Sequence, residues 1–94
     1  MILSYRDKRT RDFAEGHRVP AYESFRRQAE IRLDQLEAAP DVKALRGFPG
    51  NRLEARAGNR KRQFSTGIND QYRICFEWPA SATGPSNVEI TDDH

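Results

Sequence analysis

The chain has 94 residues and a mass of 10.8 kDa, so any hydrophobic core must be small. Charged residues make up 32% and hydrophobic residues 36% of a chain with a net charge of +2, and no apolar run of about 18 residues exists to form a transmembrane helix. The first residues lack an apolar segment, so we expect no signal peptide and a cytoplasmic protein. The single cysteine, Cys75, excludes an internal disulfide and a cysteine-rich zinc site.

The N-terminal half predicts a short strand followed by two helices. Residues 2–5 form a β-like run, Asp7 is a candidate helix N-cap, and Gly16 is a natural helix end. The longest periodic segment begins at Pro20 and ends at Pro40. Its apolar residues follow helical spacing: Tyr22, Phe25, Ala29, Leu33 and Leu36. We expect this face to pack into the core.

The C-terminal half changes to the two-residue period of strands. Strands are predicted over residues 52–55, 61–66, 71–78 and 88–90. In the third of them, Ile74 and Phe76 share one face, whereas Arg73 and Cys75 share the other. The order β-α-α-β-β-β-β predicts one α+β domain over residues 1–94, with two N-terminal helices packed on a mostly antiparallel sheet.

Positive charge is concentrated in the middle of the chain. Between residues 43 and 63, Glu54 is the one acid among the basic residues Lys43, Arg46, Arg52, Arg56, Arg60, Lys61 and Arg62. Most of them are arginine, whose planar fork suits bidentate contact with phosphate. Such a segment either binds a nucleic acid or keeps a strand edge soluble, and composition alone leaves both interpretations open.

The residues that could carry chemistry indicate acid–base catalysis without a metal or cofactor. His17 and His94 have no second ligand at metal-binding spacing, and Asp92, Asp93 and His94 would project to alternate faces of a strand. RNA supplies its own nucleophile, the 2′-OH, so its cleavage needs a base, a cation for the phosphate and an acid for the leaving oxygen. Glu54 and His94 are the candidate proton carriers. The candidate cations are Arg60, Arg62 and Arg73.

Three stretches of the sequence carry a resemblance to a known family. They are residues 49–60 (Pro-Gly-Asn-Arg-Leu-Glu-Ala and the turn Gly-Asn-Arg), residues 68–76 (Ile-Asn-Asp-Gln-Tyr-Arg-Ile-Cys-Phe) and residues 88–94 (Val-Glu-Ile-Thr-Asp-Asp-His). Together they resemble the HigB/GraT-like "plasmid maintenance killer" toxins of the RelE/ParE superfamily. The resemblance implies a compact microbial-RNase-like fold and ribosome-dependent cleavage of mRNA that leaves a 2′,3′-cyclic phosphate. It also implies neutralisation by a HigA-type helix-turn-helix antitoxin, through which the complex binds operator DNA.

The resemblance also assigns a catalytic set. Glu54 stands where some HigB toxins carry histidine, and a carboxylate can still act as the base. Arg73 matches the arginine that is expected to hold the phosphate. Asp92 and His94 match the Asp-Tyr-His ending of the family.

We predict the RNA-binding residues from the basic segment and from the C-terminal Asp-Asp-His. They are Arg52, Arg56, Arg60, Lys61, Arg62 and Asp93. Asp93 replaces the family's tyrosine, which could stack on a base, so we expect weaker RNA binding. Arg62, where relatives often carry glycine, adds positive charge that offsets part of this change.

Two alternatives to an RNase remain open from the sequence. The first alternative is an attenuated or non-enzymatic toxin. Members of the ParE branch, for example, share the fold without the RNase residues and inhibit DNA gyrase. The second is a module whose surface mainly holds an antitoxin. The ending with Asp92 and His94 favours the enzyme, whereas Asp93 in place of tyrosine favours a lost activity.

Overall fold

The computed structural model describes residues 1–55 and 62–92. Its helical elements are α1 (Lys8–Ala14), a 3-10 helix (Pro20–Phe25), α2 (Arg26–Ala38) and α3 (Val42–Leu45). Its strands are β1 (Glu54–Ala55), β2 (Gln63–Gly67), β3 (Tyr72–Glu77) and β4 (Ser86–Asp92). The strands form an antiparallel sheet in the order β1-β2-β3-β4, which confirms the predicted α+β class. In these two ranges, no helix has the length and apolar character needed to cross a membrane.

The N-terminal strand predicted over residues 2–5 does not form. This segment makes one parallel bridge, between Tyr5 and Val88, and the chain then turns into α1. The turn comes early because the Asp7 side chain caps α1 by accepting a hydrogen bond from the Thr10 N–H at 2.8 Å. The extended segment is therefore too short for a regular strand.

The two predicted helices correspond to more than two helical elements. The segment that begins at Pro20 starts as a 3-10 helix and becomes α-helical only at Arg26. The short helix α3 follows Pro40 and was not predicted. Its N-cap is Asp41, whose carboxylate accepts a hydrogen bond from the Ala44 N–H at 3.0 Å. Four residues are too few to show a helical period in the sequence.

The hydrophobic core lies between the helices and one face of the sheet. The predicted helical stripe is confirmed, because all five of its residues are buried: Tyr22, Phe25, Ala29, Leu33 and Leu36. Strand residues Phe64, Ile74, Phe76 and Ile90 are buried against them. The opposite face, which we call the outer face, carries the alternate residues of the sheet: Gln63, Ser65, Gly67, Arg73, Cys75, Glu77 and Glu89.

The N-terminal residues cover the exposed edge of β4. The Val88 N–H donates to the Ser4 carbonyl at 3.1 Å, and the Arg6 N–H donates to the Val88 carbonyl at 2.9 Å. Farther along the strand, the Ile90 N–H donates to the Thr10 hydroxyl at 3.0 Å. These bonds satisfy groups that an open strand edge would offer to another chain.

Replacing Thr10 by valine is expected to destabilise the fold. Thr10 is fully buried, so the nearly isosteric change leaves the Ile90 N–H without its acceptor in a place that water does not reach. We expect a loss of about 1–3 kcal/mol in the free energy of unfolding. Urea denaturation measures the free energy of unfolding of this variant. Thr83→Val, the same substitution at an exposed position, is the control. Equal stability of the two variants would contradict the assignment.

Candidate active site on the outer face of the sheet

Arg73 is the buried cation of the outer face. It is 7% exposed, and three of the hydrogen bonds that hold its guanidinium lie within the described residues. Its Nε donates to the Ser65 hydroxyl at 2.9 Å, and Nη2 donates to the Arg52 carbonyl at 2.7 Å and the Ser65 carbonyl at 3.2 Å. These partners fix the plane of the fork, so the position of the positive charge is determined before any ligand arrives.

Glu54 places a carboxylate beside this guanidinium. It pairs with Ser65 in the β1–β2 register, and its Oε2 lies 3.7 Å from Nη2 of Arg73. The two side chains differ in exposure, since 63% of the Glu54 side chain is open to solvent. An exposed carboxylate can exchange protons with a ligand, while the guanidinium beneath it supplies a positive charge in a fixed position. The pair thus offers a base and a cation side by side.

Arg52 completes this end of the outer face through its backbone. Its φ of 48° lies in the left-handed region that few non-glycine residues adopt, and its carbonyl accepts the bond from Arg73. Its own Nη2 donates to the Asn69 carbonyl at 2.8 Å. A Cβ at Gly67 would lie 2.7 Å from this guanidinium, so a larger residue there would require the Arg52 side chain to shift.

Two residues of this region did not emerge from the sequence. Ser65 binds Arg73, and Arg32 of α2 donates to the carbonyls of Gly67 at 3.0 Å and Gly50 at 2.9 Å. Arg32 thereby connects the helix layer to the end of the sheet that holds the Glu54–Arg73 pair. The Ser65–Arg73 contact depends on the register of β2 against β3, and the Arg32 contacts depend on how α2 packs near the end of the sheet, so neither role is visible in the sequence.

The other described residues of the predicted site lie away from Arg73. Arg62 precedes β2, and its guanidinium lies 5.4 Å from the ring centroid of Phe64, a residue of the core face. It is separated from Gly67, which pairs with Arg73, by about 16 Å along the strand. Asp92 lies at the same end of the sheet as Arg73. It pairs with Tyr72, however, and so shares the face opposite to the guanidinium.

The Asp92 side chain is nevertheless fixed by a hydrogen bond. It is exposed at the end of β4, and its Oδ2 accepts a hydrogen bond from the Gln71 amide at 2.9 Å. The remaining predicted site residues lie outside the described residues: Arg56, Arg60, Lys61, Asp93 and His94. Within residues 1–55 and 62–92, no group of three or more His, Cys, Asp or Glu side chains could hold a metal ion.

Comparison with known proteins confirms the resemblance found in the sequence. Residues 3–93 match the sequence model of a family described as "RelE-like toxin of type II toxin-antitoxin system HigB". The chain is also similar to Toxin HigB-1 of Vibrio cholerae serotype O1 (strain ATCC 39315 / El Tor Inaba N16961). The two are 38% identical over 82 residues, which cover 83% of this chain and 84% of that toxin. With its antiparallel sheet and packed helices, the chain belongs to the HigB family of RelE-like toxins of type II toxin–antitoxin systems.

Proposed function

We propose that this toxin is a metal-independent endoribonuclease that cleaves mRNA on the ribosome and so arrests translation. The observation that carries the proposal is the Glu54–Arg73 pair, with a solvent-exposed carboxylate 3.7 Å from a buried and fully oriented guanidinium. This combination suits RNA, in which the nucleophile and the phosphate are neighbouring parts of the substrate. The family match supports the same activity class.

In the proposed reaction, Glu54 accepts the proton of the 2′-OH, and the freed oxygen attacks the adjacent phosphorus. The P–O5′ bond breaks, which leaves a 2′,3′-cyclic phosphate on one fragment and a 5′-OH on the other. Arg73 stabilises the extra negative charge on the phosphoryl oxygens, where a fixed cation is most effective. We assign the proton for the leaving 5′-oxygen to His94, whereas Asp92, whose side chain lies on the face opposite to the Arg73 guanidinium, is assigned no direct proton transfer.

The RNA strand is proposed to follow the basic segment on both sides of the reacting phosphate. Arg52 lies next to Arg73, and its carbonyl already binds that side chain. Further contacts with phosphate or base are assigned to Arg56, Arg60, Lys61, Arg62 and Asp93. Asp93 contributes no positive charge and no stacking surface, so this part of the site is expected to bind RNA more weakly than a tyrosine would.

A toxin of a type II system has an antitoxin partner. We propose a HigA-type helix-turn-helix protein for this role, with operator DNA bound through the antitoxin. The proposed target places the toxin in the cytoplasm, where ribosomes and mRNA are found. Neutralisation is then the binding of one protein to another, and it requires no change in the toxin's chemistry.

Expression of the toxin without its antitoxin tests the proposal. We expect growth arrest with mRNA cut at in-frame codons, and we expect a form lacking His94 to cut at least about tenfold less. DNA supercoiling measured in the same cells separates the RNase from a gyrase inhibitor. Intact mRNA with impaired supercoiling would overturn the RNase proposal, and intact mRNA without arrest would favour a module that only binds an antitoxin.

A further inference from the structure

The Arg32 side chain joins β2 to the segment at residues 50–52, which precedes β1. Its Nε donates to the Gly67 carbonyl at the end of β2 at 3.0 Å, and its Nη2 donates to the Gly50 carbonyl of the 50–52 segment at 2.9 Å. Its Nη1 donates to the Gln35 side chain, about one turn farther along α2, at 3.3 Å. One planar fork therefore fixes the spacing of the two carbonyls and ties both of them to the helix layer.

Both carbonyls that Arg32 binds belong to glycines, so no side chain at either position can fix the backbone by packing. Gly50 has a φ of 75°, in the left-handed region that glycine adopts without strain. Asn51 follows it, and the Asn51 carbonyl accepts a hydrogen bond from the Gly67 N–H at 2.8 Å. The backbone groups and the Arg32 fork thus form a closed ring of hydrogen bonds, which the loss of Arg32 would open.

Arg73 bridges the same two pieces of chain. Its Nε donates to the Ser65 hydroxyl of β2, and its Nη2 donates to the Arg52 carbonyl of the 50–52 segment. Each of these acceptors lies two residues along the chain from a carbonyl that Arg32 binds. Arg32 therefore sets the spacing of two acceptors that orient the Arg73 guanidinium, although it belongs to the helix layer.

We propose that Arg32 is a positioning residue for the cleavage reaction, and that it acts through the 50–52 segment to set the geometry of the Glu54–Arg73 pair. This inference rests on the proposed ribonuclease function. Glu54 follows Arg52 by two residues, and its Oε2 lies 3.7 Å from Nη2 of Arg73. A shift of the 50–52 segment relative to β2 therefore changes the distance between the base and the cation. A misplacement of about 1 Å can lower the rate of an enzyme by about 10²-fold.

The fold does not depend on Arg32 alone. The Asn51 side chain is buried and donates to the Leu45 carbonyl at 2.7 Å, which anchors the 50–52 segment to α3. Arg32 is half-buried, and Arg32→Lys keeps its aliphatic stem and its positive charge. Lysine can bind one of the two glycine carbonyls, but it has no rigid fork with which to span both. We therefore expect this variant to fold, with the 50–52 segment less firmly held.

Single-turnover cleavage of ribosome-bound mRNA over a range of excess toxin concentrations tests the inference. For Arg32→Lys we expect the maximum rate to fall about tenfold, while the half-saturating toxin concentration stays within about twofold of the wild-type value. A merely structural role would lower the folded fraction, which raises the half-saturating concentration and leaves the maximum rate unchanged. Arg27→Lys, the same exchange at an exposed position of α2, should change neither quantity.

A double-mutant cycle shows whether Arg32 acts through Arg73. Residues that are coupled through shared partners have non-additive effects, whereas the effects of independent residues multiply. Once Arg73→Lys has removed the oriented guanidinium, the further change Arg32→Lys should lower the maximum rate by less than about twofold. A further loss of about tenfold would mean that Arg32 acts independently of Arg73, and this would overturn the inference.

The outcome for the wild type separates this inference from the function on which it rests. An absence of wild-type cleavage would overturn the ribonuclease and the inference together. If the wild type cleaves, an unchanged maximum rate in Arg32→Lys overturns the inference while the ribonuclease stands, and a raised half-saturating concentration in that folded variant identifies Arg32 as a direct RNA contact.

Thermal melting of each purified variant shows whether it is folded. If Arg32→Lys is not folded, Gln35→Ala decides, because it removes one anchor of the Arg32 fork and leaves the arginine in place. Its maximum rate should fall at least about threefold with the half-saturating concentration unchanged. A wild-type maximum rate in Gln35→Ala would then overturn the inference.

Discussion

Replacing Arg73 by lysine is expected to lower the rate of RNA cleavage by about 10²–10³-fold. Lysine keeps the positive charge but has no planar fork, so it cannot bind the Ser65 hydroxyl and the Arg52 carbonyl together in the native geometry. Its ammonium group is a strongly hydrated point charge whose position is not fixed in advance. The variant therefore separates the orientation of the cation from its charge.

The measurement is single-turnover cleavage of ribosome-bound mRNA by the purified toxin. Arg27→Lys is the matched control, because Arg27 is exposed on α2, in the helix layer. We expect the Arg27→Lys variant to cleave at the wild-type rate. Cleavage by folded Arg73→Lys at the wild-type rate would remove Arg73 from the reaction.

Arg73→Ala is the less informative variant, for a structural reason. Arg73 is nine-tenths buried and joins β2, β3 and the segment before β1, so alanine leaves the Ser65 and Arg52 acceptors without their donor. We expect a loss of about 1–3 kcal/mol in the free energy of unfolding. Growth arrest would then disappear partly because less folded toxin is present. A catalytic arginine exposed at the surface could be removed without this cost.

Hydrophobic periodicity predicted the helix–sheet architecture well. Ile74 and Phe76 lie on the core face and Arg73 on the other, as the alternation along β3 indicates. What alternation cannot supply is the partner of each residue on the next strand. The burial of Arg73 depends on the register that places Ser65 beside it, and that register is set by the packing of the whole sheet.

The distribution of charge along the chain was a poorer guide to the site. Arg52 and Arg62 belong to the same basic segment, yet one lies next to Arg73 and the other lies near the opposite end of β2, beside Phe64. Asp92 is close to Arg73 in the sheet but on the other face, because neighbouring residues of β4 project in opposite directions. Of the two predicted carboxylates that the structure describes at this end of the sheet, Glu54 lies on the same face as Arg73 and Asp92 does not.

Replacing Glu54 by glutamine is expected to lower the rate of cleavage by about 10²–10⁴-fold, because the amide cannot accept the proton of the 2′-OH. The fold should hardly change. The side chain is 63% exposed, and we expect the free energy of unfolding to shift by no more than about 0.5 kcal/mol. Glu54→Gln thus tests chemistry with little interference from stability, which Arg73→Ala cannot do.

Glu30 supplies a matched control for this experiment. It is an exposed carboxylate whose Oε2 lies 3.3 Å from Nε of Arg26, so Glu30→Gln changes a carboxylate–guanidinium pair on the helix layer. Single-turnover cleavage should be normal in Glu30→Gln and strongly reduced in Glu54→Gln. If both variants cleave normally, the base is a different residue.

Replacing Glu54 by histidine tests directly whether position 54 acts as a proton acceptor. Some HigB toxins carry histidine there, and a neutral imidazole can accept a proton as a carboxylate does. Glu54→His is therefore expected to recover at least about tenfold of the activity that Glu54→Gln loses. Its activity should also fall at pH values below about 6.5, where the imidazole becomes protonated and can no longer act as a base. Recovery with this pH dependence would identify proton acceptance as the role of position 54, because a purely electrostatic role beside Arg73 would be lost with either neutral side chain.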